Sequence, residues 1–168
     1  MGDVVISTAA MEDVRRAFPD ARMDLNTLRP WDRLFADDSR FESIFSFDVR
    51  SAHGAWRERI RWLRHVRGQR YDLIVDLQSS DHSRALVAAL MLSGAAVRYR
   101  MGHRRGWPYN VFPDYQDPVG ASFENARRSL RALGVPANTP RPVLQVPADA
   151  RERASALMRE HDLTPQRY

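Results

Sequence analysis

The segment Tyr71-Asp72-Leu73-Ile74-Val75-Asp76-Leu77-Gln78 is apolar on both faces at its centre. Successive residues of a strand point to opposite faces, so a run without alternation is expected where helices cover both sides of a parallel sheet. Helical patterns flank it. Upstream, residues 55–66 carry Trp56, Ile60 and Leu63 on one helical face, with Arg57, Arg61 and Arg64 turned elsewhere. Downstream, a helix is expected from Asp81 to Leu92, closed by Gly94, and then a short strand over 97–101.

Further out the alternation continues. Val4, Met11, Val14 and Phe18 share one face of a helix from about Asp3 to Ala17, which Pro19 ends. Residues 22–27 and 41–47 read as strands, with a short helix near Trp31 to Ala36 between them. Residues 103–120, rich in Gly, Pro and aromatics, read as a loop. Phe123, Ala126, Leu130 and Leu133 form a helical stripe capped by Gly134, and residues 138–147 read as a linker with one short strand at 143–146. A last helix is expected over 148–161. Strands alternating with helices imply an α/β fold, a Rossmann-like three-layer sandwich with a mainly parallel sheet. The chain opens on Gly2-Asp3 and goes straight into a helix, as a strand-turn-helix unit does after its strand. The first strand is therefore expected to be missing from this sequence, with ~5–6 strand residues belonging just before Met1.

Composition narrows the class. A chain of 168 residues with 43% hydrophobic and 28% charged residues is sized for one core and matches a water-exposed globular domain. No apolar run reaches membrane-spanning length and no secretory leader is visible, which leads us to expect a cytoplasmic location. The absence of cysteine removes disulfides and thiolate metal sites, and the five histidines lack metal-ligand spacing. All 26 basic residues are arginine, giving a formal net charge of +5. That pattern has two readings: a solvated surface set by GC-rich codons, or guanidinium forks that capture phosphate or carboxylate. No nucleotide-binding glycine loop and no Ser/His/Asp elbow is present.

Three groups of residues could carry chemistry. Gly2-Asp3 at a helix start is either a helix cap or a carboxylate aimed into the crevice where open α/β sheets hold ligands, able to act as a general base. Gln78 and Ser83 follow the central strand; they are either part of a capped helix start, with Ser79, Ser80 or Asp81 as the cap, or hydrogen-bond donors to a polar ligand. Arg50, Arg104 and Arg105, with Arg98 and Arg100 close by, are either surface charge or an anion site.

Three separated stretches carry a family resemblance: Gly2-Asp3-Val4-Val5 leading into a helix that ends Arg16-Ala17-Phe18-Pro19-Asp20-Ala21-Arg22, the segment Tyr71 to Gln78 with Ser83 five residues on, and Ala126 to Gly134. In these the chain resembles the family-nine glycosyltransferases of GT-B fold, the heptosyltransferases of lipopolysaccharide inner-core biosynthesis. It departs from that pattern at Ser79, His82 and Ser122.

The resemblance implies one half of a GT-B fold, with residues 1–137 as the truncated amino-terminal acceptor-binding domain and 138–168 as linker and start of the inter-domain region. It implies an inverting, metal-independent transfer of heptose from ADP-heptose, with Asp3 as the base and Gly2, Gln78, Ser83, Arg50, Arg104 and Arg105 as substrate contacts. No cofactor is implied; the nucleotide-sugar donor is held mainly by a carboxyl-terminal half absent here, so the isolated chain is expected to be inactive. The implied partners are that donor and an anionic glycolipid acceptor, with peripheral contact at the cytoplasmic face of the inner membrane. Nucleic acid is not expected: aromatic interleaving and recognition motifs are lacking. The competing readings are a non-catalytic Arg-rich binding module for nucleic acid or another anionic partner, and another GT-B transferase or a nucleotide-sugar epimerase-like protein.

Overall fold

The computed structural model describes residues 2–47, 55–78, 80–114 and 122–163. Its elements, in chain order, are α1 (Gly2–Ala17), β1 (Asp24–Leu28), a 3-10 helix (Trp31–Phe35), β2 (Ser43–Phe47), α2 (Ala55–Gln69), β3 (Leu73–Val75), α3 (Asp81–Leu92), β4 (Tyr99–Met101), α4 (Ser122–Ala132) and α5 (Ala148–Glu160). β2, β3 and β4 lie inside segments that the sequence marks as extended, and β1 runs one residue past its segment, to Leu28.

β1 pairs in parallel with β2, Asp24 opposite Ser43 through Leu28 opposite Phe47. β3 pairs in parallel with β4, Leu73 opposite Tyr99 through Val75 opposite Met101. Two apolar clusters show that both pairs belong to one layer. On one face Ala10 and Val14 of α1 and Ala126 and Leu130 of α4 meet Met101, with Val75 and Met23 against them. On the other, Trp62 and Val66 of α2 and Leu90 of α3 meet Phe47, with Phe45, Leu28 and Ile74 against them. Val75 and Ile74, adjacent in β3, thus serve opposite cores, which explains the unbroken apolar run. The result is the three-layer sandwich: α1 and α4, then strands, then α2 and α3.

Among the described residues β1 and β3 share no backbone bond; they are joined by side chains. Tyr71, just before β3, donates its hydroxyl to Asp24 Oδ2 at the start of β1. Asp24 Oδ1 also accepts the Ser43 amide at 3.2 Å, and Arg22 Nη2 reaches Oδ2 at 3.0 Å. β1 and the segment leading into β3 are thus tied by side chains, with no shared ladder among the described residues.

Helix ends obey local rules. Gly94 (φ +80) and Gly134 (φ +82) follow α3 and α4 in the left-handed region, and the next amides, Ala95 and Val135, bond back to Leu90 and Leu130 carbonyls at 3.4 and 2.9 Å.

Three expectations need correction. Trp56 is 59% exposed rather than core-facing, because the buried stripe of α2 runs through Trp62 and Val66. Phe18, just past the last turn of α1, is exposed as well. Residues 143–146 form no strand. Pro140, Pro142 and Pro147 hold no ladder donors there, and the Val143 amide bonds Thr8 Oγ1 of α1 at 2.9 Å instead. Neighbouring contacts fasten the same segment: Asp13 accepts the Thr139 hydroxyl at 2.6 Å, and buried Arg40, paired with Asp38 at 2.6 Å, donates to the Val143 carbonyl at 3.0 Å.

The Asp24 link makes a pH-dependent prediction. Burial disfavours the charged carboxyl, but hydrogen bonds from Tyr71, Arg22 and Ser43 outweigh it and hold the group below its ordinary range. Its contribution is fully present above the unfolded carboxylate value and is lost as pH falls through the folded one. Tyr71→Phe should cost about 2 kcal/mol near pH 7 by urea unfolding, with the deficit against wild type shrinking below pH ~4. A deficit independent of pH would show that Asp24 is not the partner that matters.

Candidate functional site

The carboxyl ends of the strands form the edge at which open α/β sheets bind ligands. α3 starts there, directly after β3. α1 reaches it from the other side: its last turn leads through residues 18–23 into the beginning of β1, which leaves its first turn, roughly 24 Å away at 1.5 Å per residue, toward the strand ends.

The best-defined feature of this edge is a buried polar network. Asp76, the residue after β3, is 8% exposed. Its Oδ1 accepts the Gln78 amide at 3.0 Å, which turns the chain, and its Oδ2 accepts the Tyr109 hydroxyl. Tyr109 is pressed onto the backbone at Gly102, where an added Cβ would lie 2.7 Å from the ring. Only glycine fits there. Burial first, and then the Asp76 carboxylate, raise the Tyr109 pKa above the usual phenol value, so it remains a donor. His103 sits alongside, Nδ1 2.6 Å from Ser129 Oγ of α4 and Nε2 3.4 Å from the Leu77 carbonyl. The Ser129 hydroxyl has one hydrogen and faces the Asn125 carbonyl at 3.0 Å as well, so it either donates there and accepts from a protonated Nδ1, or donates to Nδ1 while the Nε2 proton points at Leu77. Burial lowers the His103 pKa, against the opposing pull of the Leu77 carbonyl and the Asp76 charge.

The residues singled out from sequence fall as follows. Gly2 and Asp3 occupy the first turn of α1, both exposed, and a Cβ on Gly2 would meet nothing within 4 Å. The Gln78 side chain is exposed, its main chain fixed by Asp76. Ser80 is the cap of α3: its hydroxyl accepts the Ser83 amide at 3.0 Å, and the Ser83 hydroxyl donates to the Ser80 carbonyl at 2.9 Å. The donor of Ser83 is thus spent on the helix start. Arg104 Nη1 bonds Asp81 Oδ1 at 2.7 Å on the exposed rim, and the Arg105 guanidinium lies 6.0 Å from the Phe112 ring. Arg50 lies outside the described residues.

Asp76, Gln78, Ser83, Arg104 and the first turn of α3 are therefore brought together, with α1 directed at the same edge. Sequence reasoning missed Tyr109, His103 and Ser129. The only signal for the first two was an aromatic-rich loop, Ser129 is an ordinary helix residue in sequence, and nothing local links Tyr109 to a carboxylate 33 residues earlier. Two shallow depressions lie elsewhere, one of about 320 Å³ along α2 and one of about 450 Å³ beside Arg15 and Phe41. The first is lined mainly by exposed side chains of α2, and in the second the buried guanidinium of Arg40 is engaged by Asp38, Thr8 and Val143, so the strand-end edge is the better candidate. Among the described residues no cluster of metal-ligating side chains occurs, and no helix is long and apolar enough to cross a membrane.

His103 should titrate with a midpoint below about 6.5 when followed by the imidazole NMR signals. Because the unfolded chain takes up this proton first, stability attributable to the neutral ring is lost as pH falls below that value. Tyr109→Phe, which withdraws a donor from buried Asp76, should cost about 2–3 kcal/mol; an unchanged unfolding midpoint would show the network to be idle.

No protein-family model matches the chain, and no curated protein matches it. Solved structures do. A glycosyl transferase family 9 structure from Veillonella parvula DSM 2008 aligns with a TM-score of 0.78 at 15% identity, covering 98% of this chain and 47% of that one. The ADP-heptose lps heptosyltransferase II of E. coli aligns with a TM-score of 0.55 at 17% identity, covering 99% of this chain and 49% of its own. The chain thus spans about half the length of the structures it matches. At these identities the likeness establishes the fold alone, one half of a GT-B architecture.

Proposed function

We propose that the chain is the acceptor-binding half of an inverting, metal-independent family-nine glycosyltransferase that moves heptose from ADP-heptose to the lipopolysaccharide inner core. The observation that carries this reading is that 98% of the chain superposes on a glycosyl transferase family 9 structure, over 47% of its length. The heptose donor is suggested by the name of the second neighbour and by the sequence motifs around Asp3 and Gln78.

In this reading residues 1–137 hold the acceptor and 138–168 lead toward a donor-binding lobe. The Asp3 carboxylate takes the proton from an acceptor hydroxyl. The resulting oxygen attacks the anomeric carbon from the face opposite the diphosphate, the carbon–oxygen bond to the diphosphate breaks, and the nucleotide diphosphate leaves with the electron pair. Configuration inverts in the single displacement. Gly2 lets the acceptor approach the start of α1 without a side chain in the way, Gln78 offers an amide at the same edge, and Arg104 and Arg105 supply charge for an anionic glycolipid at the cytoplasmic face of the inner membrane. Arg50 belongs to the same set by its place after β2.

The test is transfer from ADP-heptose to a lipid acceptor. The isolated chain should give none, and a form extended at both ends by the flanking coding sequence should turn over. Asp3→Asn in that form should lower the rate by about 10²–10⁴-fold with its thermal midpoint unchanged. Full activity of the variant, or a product with retained anomeric configuration, would overturn the assignment.

A further inference from the structure

The loop between β4 and α4 contains an unusually well-fastened turn with one side chain left out of it. Gly106 has φ +101, a conformation that admits few other residues. Pro108 is fully buried and its carbonyl accepts from Arg100 Nε at 2.7 Å. Tyr109 is buried on Gly102 and bonded to Asp76. The carbonyl of Trp107 accepts from Arg84 Nη2, in the first turn of α3, at 2.6 Å. The carbonyls of Gly106, Trp107 and Pro108 and the side chain of Tyr109 are thereby held, yet Trp107 is 57% exposed.

An isolated exposed apolar side chain is ordinary. An exposed tryptophan on a turn immobilised by a buried carboxylate, a buried proline and an arginine is a different matter, because the ordering cost of binding has been met by folding. The surroundings define what it can bind. Arg84 and Arg104 border it through the first turn of α3, Arg104 on Asp81, and Arg105 lies over Phe112 in the same loop. A flat apolar face on a loop that also carries Arg104 and Arg105, and whose carbonyl takes Arg84, suits a ring with a C–H face on one side and anionic substituents at its edge. A single indole accommodates a single ring, whereas platforms for single-stranded nucleic acid present successive aromatics to successive bases.

We propose that Trp107 is the stacking platform of a sugar subsite, taking the apolar face of one pyranose ring that carries a phosphate or carboxylate held by Arg104 and Arg105. The assignment deepens the glycosyltransferase reading and rests on it: Trp107 then selects the acceptor sugar at the rim of the strand-end edge and takes no part in proton transfer.

The test uses the full 168-residue chain and mannose 6-phosphate as the probe, followed by the indole N–H resonance of Trp107, identified by its loss in Trp107→Phe. That resonance should shift saturably with the sugar phosphate, and ring-current shifts should appear on the C–H protons of one sugar face. Trp107→Ala should weaken binding about tenfold with an unchanged melting midpoint, Trp107→Phe should keep most of it, and Arg104→Gln should weaken the phosphorylated sugar while leaving unphosphorylated mannose unaffected. An equal shift with inorganic phosphate alone, a stronger one with adenosine monophosphate, or none up to tens of millimolar sugar phosphate would each overturn the proposal. Sugar stacking without transfer by the extended form would leave this subsite standing and remove the heptosyltransferase reading; transfer that is indifferent to Trp107→Ala would do the reverse.

Discussion

One carboxylate holds the strand layer together at its amino end. Asp24 accepts the Ser43 amide on one side, the Tyr71 hydroxyl on the other and Arg22 from below. Its side chain is almost fully buried, and a buried charge is tolerable only when hydrogen-bonded. Those three donors answer that requirement and in doing so set β1 and β2 at a defined spacing from β3 and β4. Without them the two strand pairs would be related only through the helices packed on either face, and the edge built from the ends of all four strands would lose its shape.

The opposite end of the layer repeats the device. Asp76 closes β3, is buried, and takes its donor from a tyrosine of a neighbouring segment. In both pairs burial and the facing carboxylate raise the phenol pKa, so that each tyrosine stays protonated and donating. The consequences differ. At the amino end the pair fixes the sheet, while at the carboxyl end it fixes two turns at once, the Gln78 turn through its amide and the Trp107 turn through Tyr109. Loops that carry function need a rigid footing, and here the footing is a polar network, with His103 and Ser129 extending it to α4.

Much of this architecture was legible in the sequence. The span of α3 is fully specified locally, since Ser80 and Ser83 form a reciprocal cap at one end and Gly94 terminates the other. The order of strands and helices follows from period and from the apolar centre of β3. What local reading lacked was direction and long-range partnership. In α2 the sequence offers two apolar stripes, one through Trp56 and one through Trp62, and only the position of Phe47 decides that Trp62 is inside. Val143 has the residue type of a strand, yet the hydroxyl of Thr8, 135 positions away, claims its amide. The site divided in the same way: Asp76 and Gln78 stand out because they end the strongest strand, whereas Tyr109 acquires a role only once the chain has folded back.

The 26 arginines supply all the basic side chains of Lys or Arg type. Read as a formal charge of +5, they invite either a solvated surface or an anion-binding one. The structure puts many of them to a third use. Arg15 donates to the carbonyls of Pro19, Ala21 and Arg40, Arg40 to those of Thr8 and Val143, Arg100 to Pro108 and Val97, and Arg127 to Ala137. A guanidinium carries five N–H donors in a rigid fork, so one side chain can satisfy several main-chain oxygens in segments too irregular to satisfy their own. Loop order in this chain is therefore bought with arginine. A guanidinium engaged in this way keeps its charge but has fewer N–H groups left to grip an anion, and the cations nearer the surface matter by position. Arg104 and Arg105 precede Trp107 in the loop that the Asp76 network fixes through Tyr109, and in the proposed subsite they supply the charge that goes with its flat face.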